Sequence, residues 1–362
     1  MMNRHVYDVS PCIYTGTYAP YQKEPSVVMN LPVDGIRFLL RRVVADLCYR
    51  DLVACAFDYL GASSNNSSKL DGYKATRKKD PKIVVQSDFI YDMFRDCNIS
   101  SYRGFGEADD HVYGLVQSDV SSITPGVNQM FIHTSDYDLA HNVDERGVVI
   151  RAVNSNINNV GYSNFSEVLQ RFEKVNFPIQ FNTISAFKAC YSDKSDNIKT
   201  LKLKSIDPKL IYEAYCKWLA SNNYASASYS SSKELFTKFC EAVVKDADDL
   251  ALLKSRIEVI FPKDLSSKVG GYQFSDKSSV NMKMLACYAY VLKDKVSLST
   301  LGRNGFKSDT LENDPSGYVT KIEDKVRSYG GNFKQGVYSV DYNLSVAPCA
   351  VFGDRISVRR DF

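Results

Sequence analysis

Over the first 150 residues, short apolar runs alternate with stretches of helical periodicity, the pattern of a parallel α/β sheet. The runs His5 to Val9, Leu52 to Phe57, Ile99 to Gly104 and Met130 to Thr134 read as strands. Between the first two, Ile36, Leu39, Leu40, Val43, Val44 and Leu47 fall on one helical face after Asp34, which reads as an N-cap, so this segment is a crossover helix. Each predicted strand ends beside an acid: Asp8, Asp58, Glu107 and Asp136. Ligands of open α/β sheets bind at the carboxyl ends of the strands, so the sheet is expected to gather these acids along one edge.

From about residue 150 the chain turns to polar loops and helices. Asp207 and Pro208 read as N-cap and first turn of a helix through Trp218, and two more helices are predicted near 232–246 and 248–260. The serine-rich stretch from Ser226 to Ser232 reads as a flexible connection, and there is no internal repeat. The last hundred residues are rich in Tyr, Ser and Gly, with alternating segments such as Gly336 to Tyr342, and read as mixed or β-leaning. The expected organisation is therefore an α/β core over 1–150, a helical region over 151–261 and a C-terminal region over 262–362 of unknown role.

Composition adds bounds rather than identity. With 362 residues, 44% hydrophobic and 24% charged, the chain can bury a large core and is neither disordered nor fibrous. No apolar run approaches the ~20 residues a bilayer span needs, and there is no secretory leader, so a cytoplasmic location is expected, that of the host if the protein is viral. Nine cysteines are scattered singly with no C-x-x-C pair, which fits reduced thiols in the core better than disulfides or zinc. Forty-five basic against forty-two acidic residues give +3, a balance that says little by itself. If the acids concentrate at one site, however, the remaining surface is more basic, as phosphate tracking requires.

Three acidic clusters stand out. Glu107, Asp109 and Asp110 crowd the start of a helix, where like charges raise one another's pKa unless a cation neutralises them. Asp136 and Asp138, two apart after an apolar strand, would point the same way in extended backbone. Asp193 and Asp196 are spaced by one turn. Each cluster alone has an ordinary reading as a cap or turn. Together with Asp8 and Asp58 they offer nine hard oxygen ligands, suited to two Mg²⁺ or Mn²⁺ ions and to phosphodiester hydrolysis.

In order, Asp8, Phe57-Asp58, Tyr73-Lys74-Ala75-Thr76-Arg77, Glu107-Ala108-Asp109-Asp110, Ser135-Asp136-Tyr137-Asp138-Leu139 and Asp193-Lys194-Ser195-Asp196-Asn197 resemble the successive motifs of the 5′-nuclease superfamily. That family contains flap endonucleases, the 5′-nuclease domain of bacterial DNA polymerase I and phage ribonuclease H. The resemblance implies a PIN-like parallel-sheet nuclease core, a helical arch over about 70–100 and a helix–hairpin–helix-type duplex-binding region. It assigns Asp8, Asp58, Glu107, Asp109 and Asp110 to the metal nearest the scissile phosphate, and Asp136, Asp138, Asp193 and Asp196 to the second. Lys74 and Arg77 become the catalytic cations at the foot of the arch, with Tyr73 and Lys78 beside the nucleic acid; the ordinary reading of the basic run is a solvated turn.

Two departures lean toward the phage branch. Asp8 is followed by Val9 rather than glycine, and the stretch after Asn197 (Ile198-Lys199-Thr200-Leu201-Lys202-Leu203-Lys204) has no glycine. The second puts the family's potassium-binding turn in question and leaves Lys199, Lys202 and Lys204 as phosphate contacts by charge or as a solvated face. The implied activity is 5′–3′ exonuclease or flap cleavage, on branched or 5′-ended DNA or RNA–DNA hybrids, by a monomer serving primer removal or repair. The basic, aromatic end Val358 to Phe362 is a candidate dock for a replication protein. The alternatives are a PIN-type ribonuclease, which usually lacks the arch and the later Asp-x-x-Asp block, and a non-catalytic junction-binding protein. His111, His133 and His141 read as packing or supporting residues, and Asp246 to Asp249 as a helix cap.

Overall fold

The computed structural model describes residues 2–18, 26–58, 80–153, 181–191, 196, 198–222, 229–306, 311 and 316–336. Its centre is a five-stranded, all-parallel sheet of β1 (Arg4–Asp8), β4 (Leu52–Ala56), β5 (Ser101–Tyr102), β6 (Met130–Thr134) and β7 (Val148–Ala152), in the order β5-β4-β1-β6-β7. A short antiparallel hairpin, β2 (Val27–Val28) with β3 (Leu31–Pro32), lies apart from it. The expected α/β architecture is thus present, with helices on both faces. The Ile99 to Gly104 run keeps only two strand residues, because Gly104 and Phe105 take positive φ and turn the chain away. Sequence reading missed β7, a Val-Val-Ile run that follows Gly147 at φ +126.

On one face pack α1 (Val9–Thr17), α2 (Asp34–Cys48) and α3 (Pro81–Asp96), with α10 (Met282–Val291), α11 (Lys295–Arg303) and α12 (Tyr318–Gln335) outside them. The six apolar residues predicted for α2 are all fully buried. Asp34 does not cap that helix. It is the first helical residue, its carboxylate accepts from Ser26 N at 2.6 Å, and the free N–H groups of Gly35 and Ile36 go to Gln86 Oε1 on α3. Residues 81–96 fall within the span expected as an arch, yet form a helix buried through Val85, Phe89, Ile90, Met93 and Phe94. The earlier part of that span, with Tyr73, Lys74, Arg77 and Lys78, lies outside the described residues.

The other face carries α4 (Ala108–Asp119), α5 (Ile184–Cys190), α6 (Pro208–Ser221), α7 (Tyr229–Val243), α8 (Ala247–Ile260) and the single turn α9 (Ser266–Val269). Asp207 caps α6 through Lys209 N, and Asp246 caps α8 through Asp249 N, as the sequence predicts. The serine-rich connection is shorter than expected: α7 already begins at Tyr229, with 223–228 outside the described residues.

The last hundred residues depart furthest from their reading. Where described they are helical, not β-leaning, and they complete the core over α2 and α3. Arg41 Nε donates to Asp294 at 2.9 Å, Arg37 Nε donates to the Leu292 carbonyl at 2.8 Å, and Ser275 exchanges backbone hydrogen bonds with Val53. Residues 337–362, including most of the alternating segment and the basic end, lie outside the described residues.

Helix α12 crosses the β2–β3 hairpin so closely that a Cβ at Gly330 would sit 2.0 Å from the Met29 carbonyl oxygen and 2.8 Å from Leu31 N. Backbone cannot yield as a flexible side chain does. Gly330→Ala is therefore expected to destabilise the fold by about 1–3 kcal/mol, the range for overpacking, and a urea midpoint equal to wild type would refute this close approach.

Candidate metal centre

The parallel sheet delivers the acids to one edge. Asp8 ends β1, 3% exposed, and its Oδ2 accepts from Thr134 Oγ1 at 2.8 Å. The same threonine oxygen accepts from Asp136 N at 2.9 Å, so the ends of the adjacent strands β1 and β6 are joined through one hydroxyl. Asp58, exposed, lies two residues past the end of β4 and accepts from Ala108 N at 3.3 Å at the start of α4. It thereby reaches the Glu107 turn.

Glu107 is the N-cap of α4 and forms a reciprocal capping box with Asp110: Glu107 N donates to Asp110 Oδ2 at 3.1 Å, while the Glu107 side chain accepts from the Asp110 N–H. Asp110 Oδ1 accepts from Lys263 N at 2.7 Å. The ordinary reading of this cluster as a helix cap is thus correct as local structure. Asp110 is nevertheless 6% exposed, and burial pushes its carboxyl pKa up despite the Lys263 charge and its hydrogen bonds. Glu107, Asp109 and Asp110 line one cavity with Asp138, Asp196, His141, Ser185 and Lys188. Carboxylates from three separate stretches of sequence therefore line one cavity, and Asp58 adjoins it through Ala108 N.

Asp136 and Asp138 are not an extended pair. Asp136 caps a 3₁₀ turn over Tyr137–Asn142 by accepting from Asp138 N at 2.9 Å, and only Asp138 enters the cavity. The physical reason is competition: an Asx turn satisfies the first backbone N–H that a continued strand would leave to a neighbour. Asp138 meets Asp196 through Lys188, whose Nζ lies 2.5 Å from Asp138 Oδ2 and 3.2 Å from Asp196 Oδ2. Asp193 lies outside the described residues. Lys199, Lys202 and Lys204 are exposed, and Lys204 pairs with Asp248 at 3.4 Å.

Sequence reasoning missed Lys188, Arg256 and Lys263. For Lys188 a signal existed: it stands in α5, Ile-Ser-Ala-Phe-Lys-Ala-Cys, where every residue is buried. A lysine in so apolar a helix needs a carboxylate partner. Arg256 is 3% exposed and donates to the carbonyls of Lys199 (2.9 Å), Tyr191 (2.7 Å) and Lys188 (3.3 Å), fastening both ends of the loop that carries Asp196. His111 and His141 are neutral, their pKa lowered by burial to about 4 and about 3. His111 bridges the Tyr272 hydroxyl and the Gly104 carbonyl, and so acts as packing; His141 lines the cavity.

The donor set fits hard divalent cations. It is rich in carboxylate oxygens, several of them buried and each held by a backbone N–H, a threonine or a lysine. At Asp138 and Asp196 the Lys188 ammonium already supplies positive charge, so an ion there competes with it.

Comparison with protein-family models and with curated proteins gives no match. Solved structures similar to this chain include the T5 D15 protein co-crystallised with metal ions, at 14% identity, 84% coverage of this chain, 100% of that chain and a TM-score of 0.43. Another is the catalytic core of Rad2 in complex with a DNA substrate, at 13% identity over 84% of this chain and 92% of that one, TM-score 0.43. A third is the eukaryotic junction-resolving enzyme GEN-1 with cesium, at 10% identity over 91% and 70%, TM-score 0.40.

Lys188→Met is expected to leave two carboxylates without their cation and to cost roughly 3–5 kcal/mol of stability in the absence of divalent ions. Added Mn²⁺ then recovers more stability in the variant than in wild type, in urea titrations with and without the ion. Equal Mn²⁺ dependence of the two proteins would show that Lys188 and the ion do not compete.

Proposed function

We propose that the chain is a divalent-metal-dependent nuclease that hydrolyses phosphodiesters at 5′ ends or flaps of DNA or RNA–DNA hybrids. The observation that carries this reading is one cavity lined by carboxylates from the start of α4, the turn after β6 and residue 196, with Asp58 bonded to Ala108 N in the first turn of α4 and Asp8 bonded to Thr134 at the end of β6. The order of these acids is that of the 5′-nuclease motifs which the sequence resembles, and the chemistry of the donor set favours Mg²⁺ or Mn²⁺.

In this reading Asp8, Asp58, Glu107, Asp109 and Asp110 hold the ion nearest the scissile phosphate, while Asp136, Asp138, Asp193 and Asp196 serve a second. Bound there, divalent ions would supply a water of lowered pKa and positive charge for the phosphoryl and leaving oxygens. The chain's own contribution is placement. Thr134 holds Asp8, Lys263 N and the Glu107 N–H hold Asp110, and Lys188 holds Asp138 against Asp196. Lys74 and Arg77 are assigned to the scissile phosphate, and Tyr73, Lys78, Lys199, Lys202 and Lys204 to the nucleic-acid backbone, by resemblance and charge.

The test is a 5′-flap duplex labelled at its 5′ end, incubated with Mg²⁺ and with wild type or Asp110→Asn. Wild type is expected to release a short labelled product, and the variant to be slower by at least roughly 100-fold, the scale of losing one preorganised electrostatic contact. Absence of cleavage by wild type with either Mg²⁺ or Mn²⁺ would sink the enzyme reading. Cleavage of single-stranded RNA that spares flaps would favour a PIN-type ribonuclease instead.

A further inference from the structure

A second cluster of ligating side chains lies on the α2 face of the sheet. His5 and Tyr7 alternate along β1 with Val6 between them, and Tyr7 is paired in register with His133 of β6. His5 and His133 therefore stand diagonally adjacent on that face. From above, the last turn of α2 brings Asp46, and the turn into β4 brings Asp51. His5 and His133 are 3% and 1% exposed and Asp46 is 9% exposed. None of these residues belongs to the carboxylate edge, which Asp8 begins at the far end of the same strand.

Three atoms converge. His5 Nδ1 lies 2.8 Å from His133 Nε2 and 3.1 Å from Asp46 Oδ2, and His133 Nε2 is 3.9 Å from the same oxygen. A first-row divalent ion at ligand bonds of about 2.0–2.1 Å has tetrahedral ligand edges of roughly 3.3 Å, and the three distances bracket that figure. The support around them is of the kind that orients metal-binding imidazoles. Asp51 Oδ2 accepts the His5 Nε2–H at 3.1 Å, directing the Nδ1 lone pair inward. The Tyr7 hydroxyl donates to Asp46 Oδ2, and the Tyr7 ring stacks on His133 at 4.1 Å.

Hydrogens alone do not satisfy this arrangement. With Asp51 holding Nε2–H, neutral His5 turns a lone pair toward the Asp46 oxygen, and no tautomer of His133 covers that contact. If His5 is doubly protonated, its Nδ1–H serves Asp46 and His133 Nε2, and His133 must keep its own hydrogen on Nδ1, a buried atom with no partner. One divalent ion would meet all three inward atoms at once.

We propose that His5, Asp46 and His133 form a closed structural site for a zinc ion, independent of the nuclease reading. Two imidazoles and one carboxylate favour zinc over the all-oxygen preference of Mg²⁺. Tyr7 or a water takes the fourth position. Arg42 and Arg151 oppose a cation there, so the ion is held by ligand bonds, with Asp46 and Asp51 offsetting its charge. Its role is to clamp α2 to β1 and β6.

The experiment uses the full chain, stripped with a chelator and returned to Mg²⁺ buffer. One equivalent of Zn²⁺ is expected to raise the melting midpoint where further Mg²⁺ does not. One equivalent of Co²⁺ is expected to give the intense visible absorption of a four-coordinate site. Mass spectrometry of metal content should find one zinc per chain in wild type and in Asp110→Asn, and none in His133→Gln or His5→Gln. No shift with Zn²⁺ together with a six-coordinate cobalt spectrum would overturn the proposal, as would zinc lost in Asp110→Asn but retained in His133→Gln. Should the histidine variants fail to fold, the wild-type melting and cobalt measurements still decide. Flap cleavage in Mg²⁺ is read separately, so failure of the zinc site and failure of the nuclease reading are distinguishable.

Discussion

Everything in this molecule hangs on the seating of β1 between β4 and β6. The strand is central, parallel to both neighbours and buried on both faces, so its register is fixed by apolar packing from two sides. Val6 goes to one core and Tyr7 to the other, and Asp8 emerges where the strand stops. A slip of one residue would exchange the two faces. It would also separate Asp8 from Thr134 and His5 from His133, so a single register sets the geometry of the carboxylate edge and of the histidine cluster alike.

What the sequence made legible was local. Met130 to Thr134 is a strand with the predicted ends, the apolar stripe of α2 is buried residue for residue, and the caps at Asp207 and Asp246 do what their residue types suggest. These signals arise within a few residues, where propensity and periodicity act directly. The alignment of acids at strand ends was also readable, because parallel topology turns order along the chain into position along an edge.

What stayed hidden depends on partners distant in sequence. Nothing near Gln86 announces that it completes the N-terminus of α2, and nothing near Ser275 announces its pairing with Val53. The helices of the last hundred residues take their place from packing against α2 and α3, elements far away in sequence, so nothing local to them announces it. At the site, Asp136 and Asp138 were read with strand periodicity, whereas an Asx turn had already ended the strand. Lys188 was overlooked because a lone lysine carries no motif; its meaning comes from the two carboxylates around it.

The bond from Lys263 N to Asp110 spans 153 positions and ties the acidic turn to the segment that follows α8. Synthesis runs from the N-terminus, so a growing chain displays Asp8, Asp58 and the Glu107 turn well before the peptide group that steadies Asp110 exists. The arrangement seen at Asp110 therefore waits on residue 263. A chain cut before residue 263 would keep every acidic motif while lacking the contact that holds Asp110.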